Sequence, residues 1–157
     1  MENQVSVIQQ EQTALYLQTK AEIDTQIATA KAFPRSEKMF MDRAISMATV
    51  TEEIAQSCIY ALPRGGKPIE GPSVRLAEII VASYGNLRSS ARIVDNDGKM
   101  ITSQGVCHDL ENNTAVSVDV KRRITDKNGK TFNDDMQVVT GNAANAIAFR
   151  NAVFKVV

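Results

Sequence analysis

The segment Thr114-Ala115-Val116-Ser117-Val118-Asp119-Val120-Lys121-Arg122-Arg123-Ile124-Thr125 decides the fold class. In an extended chain Val116, Val118, Val120 and Ile124 fall on one side, and Ser117, Asp119, Lys121 and Arg123 on the other. This alternation marks a strand with one face in a core and one in water. Working backward, Glu111-Asn112-Asn113 reads as a turn, 99–109 as a second strand and Asp95-Asn96-Asp97-Gly98 as a hairpin turn. Before it, Leu87, Ser89, Ala91 and Ile93 alternate with Arg88, Ser90, Arg92 and Val94 in a further strand. Working forward, Asp126-Lys127-Asn128-Gly129-Lys130 is a third turn, and 131–139 is expected to pair briefly. From Asn142 the period becomes helical, through Ala143, Ala146, Ile147, Arg150 and Val153.

Upstream of the strands the pattern is helical throughout. Tyr16, Ile23, Ile27 and Ala30 form one stripe of a helix over 10–33, which Pro34 ends. Ser36 is placed to cap a second helix lined by Phe40, Ala44 and Met47. Thr49 with Glu52 reads as a capping box for a third, carrying Ile54, Cys58, Ala61 and Leu62 and stopped by Pro63. Ser73 would cap a fourth over 74–84, with Leu76, Ile80, Val81 and Tyr84 inward and Gly85 at its end. The fold class is therefore α+β: N-terminal helices, a three-stranded antiparallel meander and a closing C-terminal helix. An antiparallel meander with one apolar face needs a helical layer over it, which the flanking helices can supply.

At 157 residues the chain reads as a single domain, 1–157, with a helical part (1–62) and a β-β-β-α core (63–157). No Trp, three Tyr and five Phe leave the core to Ile, Val, Leu, Met and Ala. Neither an export signal nor a membrane-length apolar run is legible, so reduced Cys58 and Cys107 in a cytoplasm are expected. The pattern runs to Val157 without a cap, as in a native chain that continues or a trimmed core. Net charge is zero but unevenly spread: residues 1–62 carry 5 − 8 = −3 and residues 114–157 carry 7 − 4 = +3. Such a dipolar molecule suits an anionic ligand on one side, or head-to-tail packing of copies.

The residues offer no catalytic constellation. Arg64-Gly65-Gly66-Lys67 lacks the spacing of a phosphate-binding P-loop. His108 has Cys107 and Asp109 beside it, but strand neighbours point to opposite faces, so neither a metal site nor a Cys–His pair is expected. Asp134-Asp135, two adjacent acids, could hold Mg²⁺ in a nuclease or simply solvate a loop. The expectation is a binding protein without cofactor or metal.

Three segments are candidates for binding. Between Pro63 and Ser73 lie Gly65, Gly66 and Gly71 with Pro63, Pro68 and Pro72. Glycines before a capping serine, with Arg64, Lys67 and Arg75 near, could leave N–H groups for a phosphate, or the segment is a rigid connector. Lys121-Arg122-Arg123 with Lys127 and Lys130 is the densest basic cluster, and Arg88 and Arg92 share a face on the first strand. Coincident faces would make a stripe able to track a nucleic-acid backbone, and otherwise a solvated outer face. Asn142, Asn145 and Asn151 are poor helix formers beside Arg150. They could cap the helix and bond a neighbouring subunit, or contact phosphate and sugar.

The order of elements, with PRGGKPIEGPSVRLAE (63–78), GVCHDLENNTAVSVDVKRRITDKNG (105–129) and TGNAANAIAFRNAVFKVV (140–157), resembles the core of single-strand annealing proteins. These include the phage RecT/Redβ and Erf types and the annealing mediator of eukaryotic recombination. The resemblance covers roughly residues 61–157. It implies ATP-independent binding and annealing of single-stranded DNA in phage-type recombination. It also implies a ring or helical homo-oligomer that holds the strand and the annealed duplex in a positive groove, bases outward. That groove would fall on Arg88, Arg92, Lys121, Arg123, Asn142, Asn145 and Arg150. Zero net charge departs from the pattern and requires a local groove, or one built by adjoining subunits. The alternative is a phage protein–protein module, an assembly factor or an inhibitor of a host enzyme. Salt separates the two, since phosphate contacts weaken steeply with it.

Overall fold

A computed structural model describes the backbone of residues 2–157 and the side chains of 11–157 other than Arg64. The elements are α1 (Glu2–Ala32), α2 (Glu37–Ala48), α3 (Glu52–Ser57), β1 (Ile59–Arg64), β2 (Lys67–Pro72), α4 (Val74–Tyr84), β3 (Leu87–Asn96), β4 (Met100–Asp109), β5 (Thr114–Arg123) and α5 (Asp134–Val153). β3, β4 and β5 form the expected antiparallel meander, with β4 central. Asp97 closes its first turn by accepting from the Lys99 and Met100 N–H groups, at 2.8 and 2.7 Å. At the second turn Asp109 accepts from the Glu111 and Asn112 N–H groups, while Asn113 takes a left-handed φ of 51°.

Helix α5 packs across one face of this sheet, and a glycine sets how closely. A Cβ at Gly105 would lie 2.1 Å from the Ala148 carbonyl oxygen, so the helix backbone rests directly on the middle strand. The register pairs Ala91, Gly105 and Val118 across the three strands. Residues in step with them, including Ser89, Ser103, Cys107 and Val116, therefore face α5, and the alternate residues face away. Two small apolar clusters fill the layer: Ala77, Cys107, Ala152 and Val153, and Ile101, Ile124 and Ala144 under Phe132. Burial, helped by the nearby Asp109 carboxylate, pushes the Cys107 thiol up to about 11, so it stays protonated and unreactive near neutral pH.

The N-terminal helices attach at the end of the sheet where the β4–β5 turn lies. Arg35, between α1 and α2, donates from its backbone N–H and its Nε to Glu111 Oε1 at 2.7 and 2.9 Å, and from Nη2 to Asp109 Oδ1. Its guanidinium lies 4.1 Å from the Tyr84 ring centroid, and Tyr84 meets Phe40 edge-on at 4.8 Å. Asn86 bonds both Glu111 and the Phe33 carbonyl. α2 packs on α4, and α4 on α5. With partners on two sides, α4 buries Ala77, Ile79 and Ser83, while the expected Leu76, Ile80, Val81 and Tyr84 are only half-buried.

Three expectations fail, each for a local reason. The third helix stops at Ser57 instead of reaching Leu62, because Ile59–Arg64 turns back on Lys67–Pro72 as a hairpin. Gly65 and Gly66 form its tip at φ 50° and 102°, conformations open to glycine. Thr51 rather than Thr49 caps α3, accepting from the Ile54 N–H at 3.3 Å, and Thr49 ends α2. Finally, 131–139 contributes only the Thr125–Thr131 bridge, and α5 begins at Asp134, not Asn142. Asn133 caps it by accepting from the Met136 N–H at 2.9 Å, and Asp134 and Asp135 sit at the positive end of its dipole.

Candidate nucleic-acid interface

Four basic residues of the two edge strands share one face, and Arg122, paired with Ile101, points to the other. Arg88 and Arg92 pair with His108 and Gln104, while Lys121 and Arg123 pair with Thr102 and Met100. All four are out of step with Gly105 and so lie on the sheet face opposite α5. The coincidence that the sequence left conditional is thus present. Arg88 is engaged: Gln26 of α1 accepts from its Nη1 at 3.0 Å, and Glu22 stands 4.0 Å from Nη2. Arg92, Lys121 and Arg123 are exposed and make no ion pair among the described residues. Asp119 interrupts the face and accepts from Gln104 Nε2 at 3.3 Å.

Further basic residues gather at the end of the sheet away from Arg35. The Ile124 N–H bonds the Lys99 carbonyl, and Thr131 Oγ1 bonds the Gly98 carbonyl. The loop carrying exposed Lys127 and Lys130 therefore lies against the β3–β4 turn and its Lys99. Asp97 is held below the usual carboxylate range, chiefly by the Met100 and Lys99 N–H groups and further by the charges of Lys121 and Lys99.

The other expected residues stand elsewhere. Asn145 faces the sheet from the α5 side, where Ser103 Oγ donates to its Oδ1 at 2.5 Å. Its polar group thus serves helix–sheet packing. Asn142 is exposed on α5, across the sheet from the basic face. Arg75 pairs with Glu78 at 3.3 Å on α4. The arrangement expected at Pro63–Ser73 is absent: Gly65 and Gly66 sit at the hairpin tip, and Gly71, the glycine nearest α4, is paired with Tyr60 inside β2. Ser73 itself covers that helix start, accepting from the Leu76 N–H and donating to the Ser57 carbonyl at 2.5 Å. Nor is the segment a plain connector. Lys67 is exposed beside the tip, and the Arg64 side chain lies outside the described residues.

Arg150 closes a separate groove of about 350 Å³ between the hairpin and the end of α5, lined also by Tyr60, Pro72, Val118, Phe154 and Lys155. Its Nε and Nη2 donate to Asn151 Oδ1 at 3.2 and 3.0 Å, and its guanidinium lies 4.8 Å from the Tyr60 ring centroid. Tyr60 and Lys155 were not among the expected site residues. Tyr60 is hidden in the sequence by the false extension of the third helix.

His108 Nε2 meets Asn113 Oδ1 at 3.1 Å on the open face, while Cys107 faces α5. Among the described residues no three His, Cys, Asp or Glu side chains gather as a metal site would require, and no helix is long and apolar enough to cross a membrane. In comparisons with known proteins, no protein family, no curated protein and no solved structure matches the chain.

Proposed function

We propose that this protein binds single-stranded DNA on the open face of its sheet and anneals complementary strands without ATP, working as a homo-oligomer. One observation carries the reading. Arg88, Arg92, Lys121 and Arg123 project from a single sheet face opposite the packed helix, three of them without a carboxylate partner among the described residues. Such a face neutralises phosphates, and contacts to phosphate position a strand without reading its bases. Bases left unread remain free to pair with a complement. The work done is templating, and the resemblance sets it in phage or prophage recombination inside a bacterial cell. A second reading, a protein–protein module, draws on the exposed apolar side chains of α1, α2 and the hairpin.

The test is fluorescence anisotropy with labelled oligonucleotides across a salt series. Lys121→Ala with Arg123→Ala should weaken single-strand binding about tenfold for every sequence and lower the slope of log K against log salt by about 1.4, near 0.7 per lost contact. Both side chains are exposed, so the melting transition should move by less than about 0.5 kcal/mol equivalent. A folded double variant that keeps wild-type affinity and salt slope would return the face to solvent and favour the protein–protein reading.

A further inference from the structure

Helix α1 is only partly covered by its own chain. Its inward line runs Thr19, Ile23, Ile27 and Ala30: Ala30 is buried, and the other three are half-buried. One turn further toward the N-terminus, on the same side, Tyr16 is 66% exposed and Leu15 65% exposed. Glu11, Leu15, Gln18 and Glu22, spaced four, three and four apart, form an acidic and apolar edge beside that line, with Gln18 donating to Glu22 at 3.2 Å.

A surface of opposite character exists elsewhere on the molecule. The hairpin face that carries Tyr60 also carries Leu62 and Ile69, paired across the strands and 54% and 46% exposed. It leads into the Arg150 groove, whose cations are Arg150 and Lys155, with Lys67 further out on the same hairpin face. Neither Arg150 nor Lys155 has a carboxylate partner among the described residues. The two surfaces lie at opposite edges of the sheet. α1 meets Arg88 on the edge strand β3, whereas the groove borders Val118 on the other edge strand, β5.

Area points the same way. The chain exposes 10888 Å². A compact chain of 17.2 kDa exposes about 7,800 Å², so roughly 3,100 Å² is in excess. Using both surfaces at once, at about 800 Å² each, would cover about half of that excess.

We infer that the Leu15–Tyr16 end of α1 docks in the hairpin–α5 groove of a second copy, so that copies join head to tail. The inference rests on the self-assembly in the proposed function and names the surfaces that perform it. A contact between two different surfaces repeats, closing into a ring or running on as a filament.

Mixing of variants tests this directly. Leu15→Glu and Leu62→Glu alter exposed side chains, so each variant should keep the wild-type circular dichroism and melting curve. By light scattering, the wild type should exceed 17.2 kDa severalfold and each variant should fall to the mass of one chain. Mixed one to one, the two variants should form a dimer and nothing larger, since each retains the surface the other lacks. A monomeric wild type, a single variant that keeps the wild-type mass, or a mixture that stays monomeric would each overturn the docking. Anisotropy with the same proteins separates the two proposals: an assembling wild type that ignores DNA sinks the annealing reading alone, and a DNA-binding monomer sinks this one alone.

Discussion

Replacing Gly105 with alanine is expected to lower stability by roughly 3 kcal/mol, near the upper end for an overpacked core position. The added carbon would stand 2.1 and 2.3 Å from the Ala148 oxygen and carbon and 2.9 Å from the Phe149 nitrogen. These are helix backbone atoms that cannot swing aside as a side chain would. α5 must lift, and lifting it loosens both apolar clusters, since each is built from α5 and the sheet. For a chain of this length, the melting temperature should drop by roughly 6–12 °C. Calorimetry checks this, and a variant melting within a degree of the wild type would place α5 somewhere other than on β4.

That glycine shows where the sequence stops being informative. The meander was legible because alternation and turn residues agree: Asp97-Gly98 and Asn112-Asn113 fall between the strands. Gly105 within a strand gives no sign of which helix will approach it. The third helix was overextended because Ile54, Cys58, Ala61 and Leu62 satisfy a helical period as well as a strand, the usual ambiguity of short apolar runs. Val138 and Val139 masked the first turns of α5 in the same way, although Asn133-Asp134-Asp135 carried a start signal. For the candidate site, the sequence placed Arg88 with Arg92 and Lys121 with Arg123. Whether the pairs met depended on a register broken by an irregularity between Ile93 and Asp95, which no local pattern discloses. Asn145 was ambiguous for a similar reason, since its partner Ser103 is 42 residues away.

The second large effect is expected at Arg35. Its side chain is 10% exposed and bridges Asp109 and Glu111, themselves 5% and 19% exposed. Arg35→Ala strands two carboxylates in that setting and should cost about 3–5 kcal/mol, the range for removing one partner of a buried ion pair. Burial pushes the Asp109 carboxyl upward, but hydrogen bonds from Arg35, from the Asn112 side chain and from backbone N–H groups outweigh it and hold it below its usual range. Glu111 is lowered likewise, against burial, by Asn86 and Arg35. Both carboxyls are depressed in the folded chain, so their stabilisation is complete above the ordinary carboxylate range and fades as pH falls through it. Urea melts between about pH 7 and pH 3 should show this loss, and in Arg35→Ala it should be smaller, because carboxyls that have lost their cation are less depressed in the folded chain. Equal stability of variant and wild type across that range would mean that the bridge contributes nothing.

The bridge also has a kinetic consequence. Arg35 reaches partners 74 and 76 residues away, whereas β3, β4 and β5 are joined through turns of three and four residues. Closing a long loop costs more entropy than closing a short one, so in the folding transition state the meander is organised while α1 and α2 are still unattached. Arg35→Ala should therefore leave the refolding rate nearly unchanged in a stopped-flow chevron and place its whole effect on the unfolding limb, where a φ-value near zero is read. The lifetime of the native state is then set by how long the N-terminal helices stay fastened to one turn of the sheet.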